Sequence, residues 1–339
     1  MLAFYVLAAA ASVLPKPGEL KSFEDWAVGC DNARRCTAVS LMEMESGENQ
    51  LTVSISRGGG RKDVARLSIA NIEDRKSGDL SLVADGTVVI GSAGLKGQDA
   101  PFELDLPANA IAKLKAAKTV ELRDPAGVSL GGASLRGVVA ALLYMDDRQG
   151  RAKSETALIA LGNRPASALP APPPVPVIPS KARPNGARLK LSEKDIAALQ
   201  ARTSCDAEQG AAEGHEAYHL SGSTWLALVP CGSGAYNFMS VPVLVNRSIG
   251  RRMKVASFDF APGFTEAGGP PMLVNADWDT TTGRLSSYAK GRGLGDCGSA
   301  ETYTWDGSKF RLLSKIAMEE CRGVIDWIPV WQATTQIRK

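Results

Sequence analysis

Short alternating runs of apolar and polar residues dominate the chain. Leu51-Thr52-Val53-Ser54-Ile55 puts an apolar side chain at every second position and ends at Gly58-Gly59-Gly60. That is the period of a half-buried strand followed by a turn. Trp26-Ala27-Val28 and Cys36-Thr37-Ala38-Val39 flank an Asp31-Asn32 turn. Ala65–Ile69 and Leu80–Val83 follow, and Asp85-Gly86 is a hairpin signal ahead of Thr87–Ile90. Two segments carry a longer period and are predicted as helices. Ala108–Ala117, opened by Pro107, repeats apolar residues at Ile111 and Leu114. Ser134–Met145 aligns Leu135, Val138, Val139, Leu142 and Leu143, then runs through Asp146-Asp147-Arg148-Gln149 to a natural stop at Gly150.

After residue 187 the pattern opens with one short helix. Ser192 caps it, Asp195 completes a capping-box-like arrangement, and Leu191, Ile196 and Leu199 form its apolar face. Strands are then expected at Thr224–Val229, Val241–Val245, Met253–Phe260, Met272–Asn275, Arg284–Ala289, Glu301–Trp305 and Phe310–Leu313. Trp278-Asp279 and Trp305-Asp306-Gly307 each precede a turn and a further strand, an echo that suggests consecutive hairpins. Between the halves, residues 163–187 hold eight of the nineteen prolines and no acidic residue, the composition of an extended spacer. The expected fold class is mainly β with α+β character. Residues 20–162 form a β-rich α+β domain with two helices, 163–187 a Pro-rich linker, and 188–339 a mostly-β, disulfide-stapled domain.

Composition narrows the function. With 39 basic and 36 acidic residues the net charge is +3, and no part of the chain concentrates the positive charge that nucleic acid demands. An apolar content of 44% with 22% charged residues excludes a disordered chain. Residues 1–14 (MLAFYVLAAAASVL) resemble the apolar core of a secretory signal, with Ala8, Ala10 and Ser12 near a possible cleavage point. The run is too short to span a bilayer, no later run approaches that length, and no Lys or Arg precedes it.

Six cysteines allow fifteen connectivities and show no CxxC spacing. The simplest scheme is sequential, Cys30–Cys36, Cys205–Cys231 and Cys297–Cys321, which needs an oxidising compartment such as the periplasm. Six reduced core cysteines are the alternative.

The most conspicuous short motif is His215-Glu216-Ala217-Tyr218-His219, an HExxH. In zinc peptidases this motif lies on a helix, with both His on the metal and the Glu as general base. Here glycines precede it, Ser221-Gly222-Ser223 follows it directly, and Thr224–Val229 reads as a strand, so a hairpin arm is expected. A zinc-dependent hydrolase using His215 and His219 is therefore the lesser alternative, and no cofactor is expected. Gly293-Leu294-Gly295-Asp296-Cys297-Gly298 matches a dinucleotide fingerprint by letters only, because a Cys and a Trp-bearing strand follow where a helix must start. No GxSxG nucleophile is present. Asp146 to Arg151 offers paired carboxylates, read as an exposed helix end with local ion pairs.

The strongest binding candidate is a pair of stapled polar loops. Arg292 and Asp296 would be fixed by Cys297–Cys321, and Tyr236 and Asn237 by Cys205–Cys231. Arg292 suits a carboxylate or phosphate, while Tyr236 and Trp305 offer flat contact area. The competing reading is an Arg–Asp pair that stitches two loops, with the Trp in the core.

Several of these segments also carry a resemblance. Trp26-Ala27-Val28-Gly29-Cys30-Asp31-Asn32 with Cys36, Gly234-Ala235-Tyr236-Asn237 after Cys231, Tyr288 to Gly298, Trp305-Asp306-Gly307, and Cys321-Arg322-Gly323 with Trp327 occur in order. Together they resemble the exported bacterial proteins of domain-of-unknown-function family 1176. The first domain alone, with Ser129-Leu130-Gly131-Gly132-Ala133 before a helix, is similar to invasion-associated locus B proteins. The resemblance implies export and architecture but no chemistry. The expected role is a non-catalytic binding or envelope-interaction module with an unknown small-molecule or envelope ligand; a purely structural envelope protein is the other non-enzymatic alternative.

Overall fold

The structure, a computed structural model, describes residues 14–42, 50–70, 80–91, 101–203, 205, 216–248 and 252–337. The signal-like segment, Leu14 excepted, and His215 lie outside the described residues.

In the first half, six antiparallel strands lie in the order Leu20–Phe23, Trp26–Cys30, Cys36–Ser40, Thr52–Arg57, Ala65–Ala70 and Phe102–Asp105. A four-stranded sheet orders Ser129–Ser134, Thr119–Arg123, Ser81–Ala84 and Thr87–Ile90. The alternation in the sequence becomes burial: Val53, Ile55, Leu67, Ile69, Leu82, Val120 and Leu122 join one core. Two helices, Ala108–Leu114 and Val138–Arg148, add Ile111, Leu114, Val138, Leu142 and Met145 to it. Trp26 is fully buried there, and its indole N–H donates to the Ser134 carbonyl at 2.9 Å, so its polar atom is satisfied.

That bond explains one departure from expectation. The helical stripe begins at Ser134 in sequence, yet Ser129–Ser134 is a strand and the helix starts only at Val138. The Ser134 hydroxyl donates to the buried Asp25 carboxylate at 2.7 Å, which holds the residue in the sheet. Gly137 turns the chain at φ 94°, and a Cβ there would lie 1.8 Å from the Phe23 carbonyl oxygen.

The second half also holds two antiparallel sheets. One orders Arg188–Lys190, Glu216–Ser221, Thr224–Ser233, Phe238–Asn246 and Arg252–Val255, with Leu273–Val274 beside Phe238–Asn246. The other orders Asp277–Asp279, Arg284–Lys290, Gly298–Trp305, Phe310–Met318 and Ile328–Gln332. Leu220, Leu226, Leu244, Trp278, Leu285 and Tyr303 are buried together in one cluster. The helix Glu193–Thr203 begins as its capping box requires: the Ser192 hydroxyl accepts the Asp195 N–H at 3.2 Å, and the Asp195 carboxylate accepts the Ser192 N–H at 3.0 Å. Its Leu199 lies against Val229, Val241 and Val243. The fold is thus mainly β, as the periodicity predicted, and the Trp-Asp echoes are hairpins of one sheet.

The sequence gives no sign of a third core, shared by both halves. Ala27, Val39 and Leu41 join Met318, Val324, Trp327, Ile328 and Val330 in it. Polar contacts surround it. Asn32 Nδ2 donates to the Gln332 carbonyl at 3.0 Å while Gln332 N–H donates to Asn32 Oδ1 at 2.8 Å. Arg322 reaches the Asp25 carboxylate and the Met42 carbonyl, both at 2.8 Å. Burial pushes the Asp25 carboxyl up, but hydrogen bonds from Arg322 and Ser134 outweigh it and hold the group below its ordinary value.

The Pro-rich segment makes one 3-10 turn at Ala166–Ala168, is otherwise largely extended, and is held to the rest of the chain at several points. Leu169 is buried and its carbonyl accepts Arg61 Nε at 2.7 Å. Val177–Ser180 pairs in parallel with Thr334–Ile337, and the Ser180 and Thr304 hydroxyls lie 2.7 Å apart. A strand containing Pro179 can exist in this two-stranded ribbon because proline's missing N–H is tolerated at an edge. Among the described residues no helix is long and apolar enough to cross a membrane.

Candidate functional site

Two hairpin turns of the second half meet side by side. Gly234 to Asn237 joins Thr224–Ser233 to Phe238–Asn246, closed by Gly234 N–H donating to the Asn237 carbonyl at 2.7 Å. Gly291 to Cys297 joins Arg284–Lys290 to Gly298–Trp305, closed by Gly291 N–H donating to the Cys297 carbonyl at 2.8 Å. Each turn has a covalent anchor. Cys205–Cys231 ties the first, and Cys297–Cys321 ties the second to the Arg322-Gly323 loop. Cys30–Cys36 closes the remaining pair, so all three bridges follow the sequential scheme. Gly291 is required here: a Cβ would lie 2.7 Å from Cys297 Sγ.

Asn237 and Asn275 lock the turns together. Asn237 is buried; its Nδ2 donates to the Lys290 carbonyl at 2.8 Å and its Oδ1 accepts Lys290 N–H at 3.2 Å. Asn275 Nδ2 donates to Asn237 Oδ1 at 3.1 Å and to the Tyr288 carbonyl at 2.9 Å, while its Oδ1 accepts Phe238 N–H at 3.0 Å. Asn275 stands at φ 45°, where Asn is better tolerated than most residues. Sequence reasoning singled out Asn237 as a ligand contact and missed Asn275. The only available signal for Asn275 was an Asn at the end of a strand pattern. The geometry makes both structural.

Arg292 and Asp296 form the pair that was anticipated. Arg292 donates to both Asp296 oxygens, through Nε at 2.7 Å and through Nη2. The same carboxylate accepts Gly323 N–H at 2.7 Å from the loop beyond the disulfide. The Asp296 side chain is 3% exposed and that of Arg292 is 42% exposed. The Arg292 guanidinium, and after it the Gly323 N–H, hold the Asp296 carboxyl below its ordinary value against the opposing effect of burial. Arg292 is therefore a cation fixed from behind, with Nη1 bonded to no described residue. On the same two turns Tyr236 is half-buried, its hydroxyl donating to the Gly291 carbonyl at 3.2 Å, and Leu294 and Phe238 are 75% and 66% exposed.

Trp305 does not belong to this surface. It is 3% exposed and packs 5.3 Å from Phe310 in the core, so its ring is not available for contact. His219 lies on the strand Glu216–Ser221, its Nε2 3.0 Å from the Gly222 carbonyl and its ring edge-on to Trp225 at 5.1 Å. With Glu216 to His219 in a strand, the helical one-turn spacing that zinc peptidase chemistry requires is not formed.

Asp146 to Arg151 departs most from expectation. The helix end is buried, with Asp146 at 0%, Gln149 at 2% and Arg151 at 1% exposure. Asp146 accepts the N–H groups of Leu158 and Ile159, both at 2.9 Å, and pairs with Arg57 Nη2 at 2.8 Å. Gln149 accepts Arg57 Nε and donates to three backbone carbonyls, and Arg151 donates to the Gly60 carbonyl and the Thr156 hydroxyl. This hexapeptide ties the helix to the loop at residues 57–61 and to the turn at 156–160. A solvated reading failed because Arg57, the charged partner, lies some 90 residues upstream, beyond any local pattern.

A β-rich protein held by three disulfides, with a stapled double turn on its surface, has the build of proteins from oxidising compartments. The chain belongs to the family described as Protein of unknown function (DUF1176), whose model matches residues 20–334. It is 27% identical to the Uncharacterized protein YpfG of Escherichia coli (strain K12), over 98% of this chain and 97% of that protein. No solved structure matches it. These matches do not extend to the invasion-associated locus B proteins.

Proposed function

We propose that this chain is an exported, non-catalytic binding module of the bacterial envelope, and that the double turn is its binding face. Residues 20–162 and 188–339 act as its two domains. The observation that carries the reading is Arg292, anchored by two hydrogen bonds on a buried carboxylate yet 42% exposed among Tyr236, Phe238 and Leu294. A preorganised guanidinium beside exposed apolar side chains recognises a carboxylate or phosphate attached to an apolar or sugar-like body. Tyr236 supplies the flat contact, while Asn237 and Asp296 position the turns. The three disulfides support an oxidising location.

A melting screen of the intact protein against anionic peptides, sugars and lipids tests this reading. Stabilisation by at least one ligand, lost in Arg292→Ala, is expected. Equal stabilisation of the Arg292→Ala protein would move the binding face elsewhere. The absence of any shift across the screen would favour the purely structural envelope role.

A further inference from the structure

We propose that the first half carries a second, separate binding site, for a single-chain amphiphile with an anionic head group. A cleft of about 480 Å³ lies between the helix Ala108–Leu114, the start of the strand Ala65–Ala70 and the turn at 155–161. That size is within the range of small-molecule sites. Its floor is aliphatic: Leu106, Ile111 and Leu158 are each at most 8% exposed. Its lining also includes Val64 and Leu161, 56% and 64% exposed, which extend the aliphatic surface from the floor to the rim. Among the described residues no aromatic ring lines the cleft, so it offers nothing for a flat ring to stack on and suits a flexible hydrocarbon chain.

The polar lining sets the sign of the head group. Arg61, Lys62 and Lys115 line the cleft and are exposed. Arg57 lines it from within and Arg151 lies behind Thr156, which is also part of the wall. Facing these five cations are three carboxylates, each already engaged. Asp146 is bound to Arg57 and to backbone N–H groups, Asp63 accepts Gly60 N–H at 2.8 Å, and Glu155 accepts Ala166 N–H at 2.8 Å. Burial pushes both the Arg57 and Arg151 guanidinium groups down, so an added negative charge at this wall would be stabilising. An aliphatic trough under surplus positive charge fits a medium-length acyl carboxylate. The Arg57–Asp146–Gln149–Arg151 network makes that wall rigid before a ligand arrives.

The test is calorimetric titration of the full chain with decanoate below its micelle-forming concentration. Saturable one-to-one binding is expected, with acetate failing to compete. The Lys62→Glu/Lys115→Glu double variant should bind at least tenfold more weakly, and Ala112→Trp, on the exposed side of the helix lining, should fill the trough and abolish binding. Leu161→Asp, a change at a largely exposed side chain, gives a second loss-of-binding variant if Ala112→Trp does not fold. Arg292→Ala should bind decanoate as the parent does. Binding lost in Arg292→Ala but kept in the Lys62→Glu/Lys115→Glu variant would place decanoate at the double turn and overturn the proposal. Absence of saturable uptake, equal affinity for decyltrimethylammonium, or undiminished binding by both Leu161→Asp and the double variant would overturn the proposal.

Discussion

Two carboxylate–guanidinium pairs, Arg57–Asp146 and Arg292–Asp296, look alike in a list of ion pairs and differ in what they leave free. In both, the acid is buried and also accepts backbone N–H groups. The arginines diverge. Arg57 is 2% exposed and uses all three nitrogens, on Gln149, the Thr156 carbonyl and Asp146. Arg292 is 42% exposed and spends two nitrogens on Asp296. A buried acid can complete a closed internal knot or brace a cation toward solvent. The cation's remaining donor capacity decides which, and that capacity is invisible in the residue types.

The comparison is open to direct attack. The largest effect is expected at Asp146→Ala, which strands a buried Arg57 and should cost about 3–5 kcal/mol in denaturant unfolding. A loss under 1 kcal/mol would show that the knot is not closed. Next is Cys297→Ser/Cys321→Ser, which should cost roughly 2–4 kcal/mol and raise amide exchange in residues 291–297. Unchanged exchange there would mean that Asn237 and Asn275 suffice to hold the turns. A smaller and differential effect is expected from lysine replacements. Arg57→Lys loses the fork geometry inside the protein and should cost about 1–3 kcal/mol. Arg292→Lys should cost less than Arg57→Lys, since its pair is open to solvent on one side. Equal costs would erase the distinction.

The pH dependence gives the finest test. Asp25 and Asp296 have folded-state carboxyls below the unfolded value, which is about 3.9 for any Asp. Their contribution is therefore full above that value and lost as pH falls through the lowered folded-state values. Asp31 runs the other way: burial pushes its carboxyl up despite N–H bonds from Arg35 and Ala33, so its contribution is present in acid and lost as pH rises through the raised value. Acid titration of stability should be less steep in Asp296→Asn and steeper in Asp31→Asn. The same slope in both variants would contradict the assignment.

The sequence made the sheets legible because strand periodicity is local. Val53, Ile55, Leu67 and Ile69 alternate in sequence and are buried together. The disulfides were legible because the cysteines fall into consecutive neighbours, and the double turn because glycines cluster beside two of them. What escaped depends on distant partners. Asp146 reads as solvated until Arg57 arrives from a strand, Trp305 reads as a contact surface until Phe310 covers it, and Ser134 reads as helical until Asp25 accepts a hydrogen bond from its hydroxyl. The strand Ile328–Gln332 was overlooked since its alternation is short and interrupted by Pro329.

That strand has a consequence for biogenesis. Ala27 and Val39 are covered by Ile328 and Val330, residues synthesised about three hundred positions later. Until those late residues join it, the early sheet thus presents a sticky, unfinished flank in whichever compartment the chain folds. A holding chaperone would find its binding stretch there, and a message cut short near codon 315 would yield an aggregation-prone fragment even though every residue of the early sheet is intact.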